Sequence, residues 1–100
     1  MVRLTIDIRY AKIALKALQG YDKPTRERIR GKINTGLTVM PPVGDIKPIA
    51  GEEDTFRLRV GKYRIKFEYF TENLTKDSGD IEQVKVLRII DIDSRGDIYK

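Results

Sequence analysis

The chain has 100 residues, the length of one ordinary domain, so we assign residues 1–100 to a single domain. It contains no Cys and no His, which excludes a disulfide framework, a thiolate nucleophile and the commonest metal ligand. A formal net charge of +5 favours an anionic partner such as nucleic acid or an acidic protein.

No apolar run approaches the roughly 20 residues that span a bilayer, and the N-terminus lacks the pattern of a secretory signal. We therefore predict a cytoplasmic protein with no membrane partner. The composition also gives no reason to expect a metal or a small-molecule cofactor.

The N-terminal half predicts one strand followed by two helices. Residues 2–8 alternate apolar and polar side chains, which is typical of a half-buried strand. Residues 10–18 change to a helical period and end near Gly20. Asp22 can cap a second helix with Pro24 in its first turn, and its apolar stripe extends to Met40 before Pro41 stops it. Joined by so short a turn, the helices should form an antiparallel hairpin.

The C-terminal half predicts strands. Residues 45–49 suit a short edge strand limited by Pro48. Residues 55–60 and 63–70 alternate around Gly61-Lys62, as in a tight β-hairpin. Residues 71–80 are polar and predict a mobile connection, and residues 81–92 suit a central strand covered on both faces. The order β-α-α-β-β-β predicts an α+β fold, with the helical hairpin on one face of a mostly antiparallel sheet. The other face is then the working surface.

The hairpin is the most informative segment, because residues 57–66 contain five basic residues and no acid. Its two strands aim four cations at one side of the sheet, namely Arg57, Arg59, Arg64 and Lys66. Like charges that close repel each other, so a polyanion is expected to lie across them. The simpler alternative is a solvated outer face whose cations pair with nearby acids.

Two other charged groups have simple explanations. Asp91 and Asp93 could be misread as a metal pair, but no His and no third clustered acid accompany them. The second helix carries a basic set that suits a solvated face, with contact to ribosomal RNA as the alternative. This set is Arg26, Arg28, Arg30 and Lys32.

Two segments together resemble a known family. They are Phe56–Ile65, FRLRVGKYRI, and Ile89–Tyr99, IIDIDSRGDIY. In this order and at this length they resemble the RelE/ParE superfamily, the small toxins of type II toxin–antitoxin pairs. The first strand and the two helices match that family only in their pattern. The resemblance implies a RelE-like fold over nearly the whole chain.

The family has two activities, ribosome-dependent cleavage of mRNA in RelE-like members and inhibition of DNA gyrase in ParE-like members. We predict the first: a metal-independent endoribonuclease, or mRNA interferase, that inhibits translation. The resemblance implies catalytic roles for Arg64, Arg95 and Tyr99, with the arginines clamping phosphate and the tyrosine stacking on a base or moving a proton. It implies RNA and phosphate binding by Arg57 and Arg59, and the acid-free pattern of the basic hairpin adds Lys62 and Lys66 to this predicted set.

Two departures from the family pattern keep alternatives open. Ser94 stands where many members have His, and Arg57 and Arg59 stand where some have Lys. Because arginine keeps its proton, a Lys or Tyr with a lowered pKa would have to act as base, or catalysis would rest on electrostatics alone. ParE-like gyrase inhibition and a non-catalytic basic nucleic-acid-binding module therefore remain the alternatives.

The resemblance also implies the partners. They are a cognate antitoxin, acidic and encoded by an adjacent gene, together with the ribosome and its mRNA. An acidic, partly disordered antitoxin that folds on binding would suit the basic surface.

Overall fold

A five-stranded sheet organises the protein, in a computed structural model that describes residues 6–94 and the backbone of residues 2–3. The strands and helices, in chain order, are β1 Val2–Arg3, β2 Ile6–Tyr10, α1 Lys12–Gln19, α2 Lys23–Gly36, β3 Val39–Met40, β4 Asp45–Pro48, β5 Thr55–Val60, β6 Tyr63–Thr75 and β7 Ile81–Ser94. The strand order in the large sheet is β2-β7-β6-β5-β4. Only β2 is parallel to its neighbour, β7; the other pairs are antiparallel.

The helices pack on one face of this sheet and bury the core there. From the helices and the residue after α2 the core takes Ala14, Leu18, Ile29, Ile33 and Leu37, and from the sheet it takes Leu58, Val60, Ile65, Phe67, Leu87, Ile89 and Ile92. The opposite face, which we call the open face, carries most of the charged side chains of the sheet. The predicted α+β fold with two helices on a mostly antiparallel sheet is therefore confirmed. Among the described residues, no helix is long and apolar enough to cross a membrane.

The second helix begins as predicted and ends earlier. The Asp22 side chain accepts a hydrogen bond from the Thr25 backbone N–H at 3.1 Å, and hydrogen bonding to the Thr25 side chain and then to its backbone lowers the pKa of Asp22. The helix ends at Gly36, so the prediction that it continues to Met40 is wrong. Met40 lies instead in β3, which pairs with β1 in a separate two-stranded sheet.

A close backbone approach explains this early end. The Val43 N–H donates to the Gly36 carbonyl at 2.8 Å, so the chain after the helix folds back onto its last residue. A Cβ at position 36 would collide with the Val43 carbonyl oxygen, so this position needs glycine for its small size.

The prediction of a mobile connection at residues 71–80 is wrong. Strand β6 continues to Thr75 and β7 begins at Ile81, so only residues 76–80 turn, closed by a 2.7 Å bond from the Lys76 N–H to the Asp80 carbonyl. The strand prediction for residues 81–92 is confirmed. Val86 and Leu87 are fully buried on opposite faces, whereas residues 81–83 are exposed, so both faces are covered only in the middle of β7.

The two glycines inside α2 should respond oppositely to alanine. At Gly31 a Cβ meets nothing within 4 Å, so Gly31→Ala should stabilise the protein by up to about 1 kcal/mol through helix propensity. Gly36→Ala should destabilise it by about 1–3 kcal/mol, because the added methyl group must displace the Val43 backbone. Urea unfolding measures both, and equal effects of the two substitutions would contradict the tight packing at Gly36.

The ion pair between β2 and β6 should make stability depend on pH. Arg9 donates to both Glu72 carboxylate oxygens at 2.8 Å, and these bonds lower the pKa of Glu72 below its ordinary 4.5. A carboxylate with a depressed folded-state pKa stabilises the protein above its unfolded pKa, and this stabilisation is lost as the pH falls through the folded pKa.

Glu72→Gln should therefore be less stable than the wild-type protein at pH 7, and the difference should close below about pH 4.5. Thermal melts from pH 8 to pH 3 measure this difference. In an Arg9→Gln background Glu72→Gln should have little further effect. A difference that does not change with pH would contradict the assignment to this ion pair.

Candidate nucleic-acid interface

The register of four strands places charged side chains in two rows across the open face. Residues directly opposite each other in antiparallel strands share a face of the sheet. One row is Asp45, Arg59, Arg64 and Asp93, and the next is Lys47, Arg57, Lys66 and Asp91. The strand register thus places the four cations on one side of the sheet, as predicted, with two acids beside them on β7 and Asp45 beside them on β4.

A β-bulge brings these acids to the open face. Phe67 pairs with Ile89 and Lys66 pairs with Asp91, so Ile90 has no partner across the ladder. Without the extra residue, the period of two that buries Leu87 and Ile89 would also point Asp91 into the core. The bulge therefore turns Asp91 and Asp93 outward beside the cations and points Ile92 inward.

Two adjoining cavities occupy this part of the open face. The basic cavity, of about 410 Å³, is lined by Lys47, Pro48, Ile49, Ala50, Arg57, Arg59 and Arg64. The mixed cavity, of about 220 Å³, is lined by Ile49, Glu52, Arg57, Arg64, Lys66, Asp91 and Asp93. Arg57 and Arg64 line both cavities, so each can act on a ligand in either one.

The two cavities differ in charge. The mixed cavity has three basic and three acidic lining residues, which balance. The basic cavity has four basic lining residues and no acidic one. An anion bound at this face would therefore favour the basic cavity, whose lining holds no carboxylate, although Asp45 of β4 lies near Arg57 outside that lining.

Arg57 is the most constrained of these cations. Its side chain is 9% exposed and its Nη1 lies 3.7 Å from an Asp45 carboxylate oxygen, which is beyond hydrogen-bond distance. Among the described residues this buried Nη1 has no hydrogen-bond partner. Since a buried donor without a partner is costly, the guanidinium is suited to donate to an oxygen of a bound anion.

Lys66 is held differently, by an acid from the β4–β5 loop. Its Nζ lies 2.8 Å from one Glu52 carboxylate oxygen and 3.1 Å from the other. This pair matches the simpler alternative from the sequence, in which the sheet cations pair with nearby acids. An anion would have to compete with Glu52 for Lys66, whereas Arg59 is exposed.

Three predicted site residues, Arg57, Arg59 and Arg64, line one cavity, and Lys66 lines the adjoining one. Lys62 is not with them, because it occupies the hairpin turn with its Nζ 5.6 Å from the centre of the Tyr63 ring. Arg95 and Tyr99 lie outside the described residues. Within residues 6–94, no cluster of three metal-ligating side chains is found.

Sequence reasoning missed Lys47 and the three acids Glu52, Asp91 and Asp93. Lys47 reaches the site because it lies opposite Arg57, and no local pattern shows which strand pairs with β4. For Asp91 and Asp93 a signal did exist. The doubled Ile89-Ile90 breaks the alternation of β7, and such a break marks the bulge that reverses the faces.

The tyrosines with shifted pKa values do not supply a base. Burial raises the pKa of Tyr10 and Tyr21, and it raises that of Tyr69 to about 12. The Tyr69 hydroxyl donates to the Leu37 carbonyl at 2.7 Å, which holds it on the helical side of the sheet. A raised pKa makes a tyrosine harder to deprotonate, so none of these three is the base with a lowered pKa that was one of the two options from the sequence.

Comparison with solved structures finds a protein chain with a similar fold. The chain is similar to one in the crystal structure of a RelB–RelE antitoxin–toxin complex from Methanococcus jannaschii, with a TM-score of 0.62 and 24% identity over 92% of this chain and 95% of that one. No protein-family model matches the sequence, and no curated protein matches it either. The α+β fold of this protein is therefore the fold of a chain in an antitoxin–toxin complex.

Removing the β7 acids should strengthen anion binding. Asp91→Asn with Asp93→Asn should lower the Kd for dimethyl phosphate, a singly charged phosphodiester, by about tenfold at low salt, if each of the two charges acts across about 6 Å of water-like medium. Asn keeps an oxygen that can accept the Ile92 N–H bond now made to Asp91. Isothermal titration gives the Kd.

The matched control removes the same charge from the distant β6–β7 turn, as Asp77→Asn with Asp80→Asn. These residues lie about 30 Å along the strands from the site, and their loss should leave the Kd almost unchanged. Equal tightening by the two double variants would show that net charge alone governs binding.

Proposed function

We propose that this protein is the toxin of a type II toxin–antitoxin system and that it cleaves mRNA on the ribosome as a RelE-like endoribonuclease. The observation that carries the proposal is the acid-free cavity lined by Lys47, Arg57, Arg59 and Arg64. Guanidinium groups bind phosphate in a two-pronged geometry, and several on one face suit the backbone of RNA. The fold likeness to a chain of a RelB–RelE complex and the motif resemblance of the basic hairpin both support the toxin role.

The proposed reaction uses the RNA's own 2′-hydroxyl as nucleophile. The 2′-oxygen loses its proton to a base and bonds to the adjacent phosphorus, and the bond to the 5′-oxygen breaks. The products are a 2′,3′-cyclic phosphate and a 5′-oxygen that takes up a proton. The phosphorane between them carries extra negative charge, so fixed cations at Arg57 and Arg64 lower the barrier. In this proposal Arg95 adds a second clamp and Tyr99 stacks on a base or moves a proton.

The mixed cavity offers proton acceptors beside these arginines. Arginine keeps its proton at ordinary pH, whereas Glu52, Asp91 and Asp93 are carboxylates in a cavity that Arg64 also lines. A carboxylate within hydrogen-bond reach of the 2′-hydroxyl can accept its proton. The basic cavity would then hold the phosphate and the mixed cavity would receive the proton.

The balanced charge of the mixed cavity also favours a second candidate function. Acids beside Arg64 and Lys66 reduce the field that stabilises a phosphorane, and Ser94 replaces the histidine of many relatives. Both features suit an inhibitor that binds without cleaving, either a ParE-like gyrase inhibitor or a basic nucleic-acid-binding module.

The proposed partners follow from the toxin role. They are the ribosome with its mRNA and a cognate antitoxin, acidic and encoded by an adjacent gene. The similar solved structure is an antitoxin–toxin complex by its own description, which supports a protein partner of that kind.

Controlled expression in cells tests the function. We expect protein synthesis, measured by the incorporation of labelled amino acids, to stop within minutes while DNA synthesis continues. The mRNA should be cut in the regions that ribosomes occupy. Arg64→Ala should reduce cleavage on purified ribosomes about 10²–10³-fold, the effect of removing one donor to a developing oxyanion. Lys12→Ala, which removes one exposed cation from α1, is the matched control and should remain toxic.

Other outcomes select the alternatives. A DNA-damage response with translation intact would identify the gyrase inhibitor. Normal growth at high expression of a folded protein would identify the non-catalytic module.

A further inference from the structure

A second groove lies beside the basic cavity and shares Arg59 with it. This edge groove, of about 390 Å³, is lined by Lys32, Thr35, Gly36, Val43, Gly44, Asp45, Leu58 and Arg59. It runs between α2 and the β4–β5 edge of the sheet. Because Arg59 lines both cavities, the open face and the side of α2 form one continuous surface at this residue.

The basic side chains continue along α2 beyond the groove. Arg28 lies one helical turn before Lys32, so the two side chains share a face of the helix. The Arg28 Nη2 lies over the hairpin turn, 2.7 Å from where a Cβ of Gly61 would be. Lys62, the next residue of that turn, is exposed. Lys62 therefore lies beside α2, which accounts for its distance from the sheet cavities.

These residues form a band of positive charge around the sheet edge. Its members, from the open face to the helix, are Arg64, Arg57, Lys47, Arg59, Lys32, Arg28 and Lys62. Asp45 is the single acidic residue lining the edge groove, and its carboxylate also lies near Arg57. A band this long exceeds what one phosphate group needs.

We propose that this band binds the backbone of single-stranded RNA over several nucleotides, from the basic cavity across the β4–β5 edge to Arg28 and Lys32. The proposal rests on the RNA substrate proposed above and extends it from one phosphate to a strand. A strand presents one negative charge per nucleotide at regular intervals, which suits cations spaced along a groove. Lys62, assigned to RNA binding from the sequence, then contacts the strand at its far end.

An acidic polypeptide is the rival occupant, and the lining residues favour RNA. Peptides that bind in grooves use apolar anchors in pockets. The lining residues of the edge groove with large apolar side chains are Val43, which is 48% exposed, and Leu58, which is 2% exposed. A groove with a more apolar lining lies elsewhere and is formed by Met40, Pro42, Ile46, Phe56, Phe67 and Tyr69. Among its lining residues the edge groove thus offers one exposed large apolar side chain, Val43, which is fewer than the several anchors of a bound peptide.

The test compares two double variants that remove equal charge with equal spacing. Arg28→Ala with Lys32→Ala removes the helical end of the band. Lys12→Ala with Lys16→Ala removes two exposed lysines one turn apart on α1, away from the band. The probe is a single-stranded RNA of twelve nucleotides with 2′-deoxy substitution throughout its centre, which cannot be cleaved there. Its Kd is measured from 50 to 200 mM salt.

The α2 variant should lower the slope of log K against log salt by about 1.4, since single strands give about 0.7 per phosphate contact. Between 50 and 200 mM salt, the factor by which affinity falls should therefore be about 7 times larger for the wild-type protein than for the α2 variant. The α1 variant should keep the wild-type slope. With a dinucleotide probe, which fits the basic cavity alone, the α2 variant should bind like the wild-type protein.

Three results would overturn the inference. Equal slopes for the two double variants would show that α2 makes no contact, and the proposed function would stand if the wild-type protein still bound RNA. If poly-glutamate bound as tightly as RNA of equal charge, and if the α2 variant lost this binding, the band would be assigned to an acidic protein. Absence of RNA binding by the folded wild-type protein would remove both this inference and the proposed RNA substrate.

Discussion

Repulsion among cations on neighbouring strands is the constraint around which the open face is built. Arg57 faces Lys66 and Arg59 faces Arg64 across the β5–β6 ladder, at the separation where like charges destabilise a sheet. Burial of apolar side chains on the opposite face offsets this repulsion, because Leu58, Ile65 and Phe67 of the same strands are almost completely buried against the helices. The backbone ladder and the core therefore hold the cations together at a distance that the cations alone would not adopt.

The bulge in β7 decides how that repulsion is relieved. By turning Asp91 and Asp93 toward Lys66 and Arg64, it places acids on one flank of the cations. The other flank, at β4, carries Lys47 opposite Arg57 and Asp45 opposite Arg59, so its two charges balance, whereas β7 contributes only acids. The result is a charge gradient across the sheet. A phosphate is attracted toward β4, and the carboxylates remain on the β7 side of the arginines, where they can accept a proton without being displaced.

Local patterns in the sequence predicted the elements better than their partners. Asp22 and Pro24 located the start of α2, and the alternation around Gly61-Lys62 located the hairpin and the shared face of its cations. The predicted end of α2 was wrong because the apolar stripe in the sequence continues through Leu37 to Met40, whereas the backbone contact between Gly36 and Val43 ends the helix. That contact joins separate parts of the chain, as do the pairing of Lys47 with Arg57 and the reach of Glu52 to Lys66. Periodicity carries no information on such distant contacts.

The edge position of β4 connects the fold to both proposed surfaces. A longer or more apolar strand here would invite another strand to pair with it, and that strand would cover the edge groove. Instead β4 has four residues and ends at Pro48, which cannot donate to a ladder, and Lys47 adds a charge that discourages edge-to-edge pairing. The features that keep this edge free of another sheet thus also keep Arg59 accessible from two sides. A ligand that follows the positive charge can then cross from the sheet to α2 without any rearrangement of the backbone.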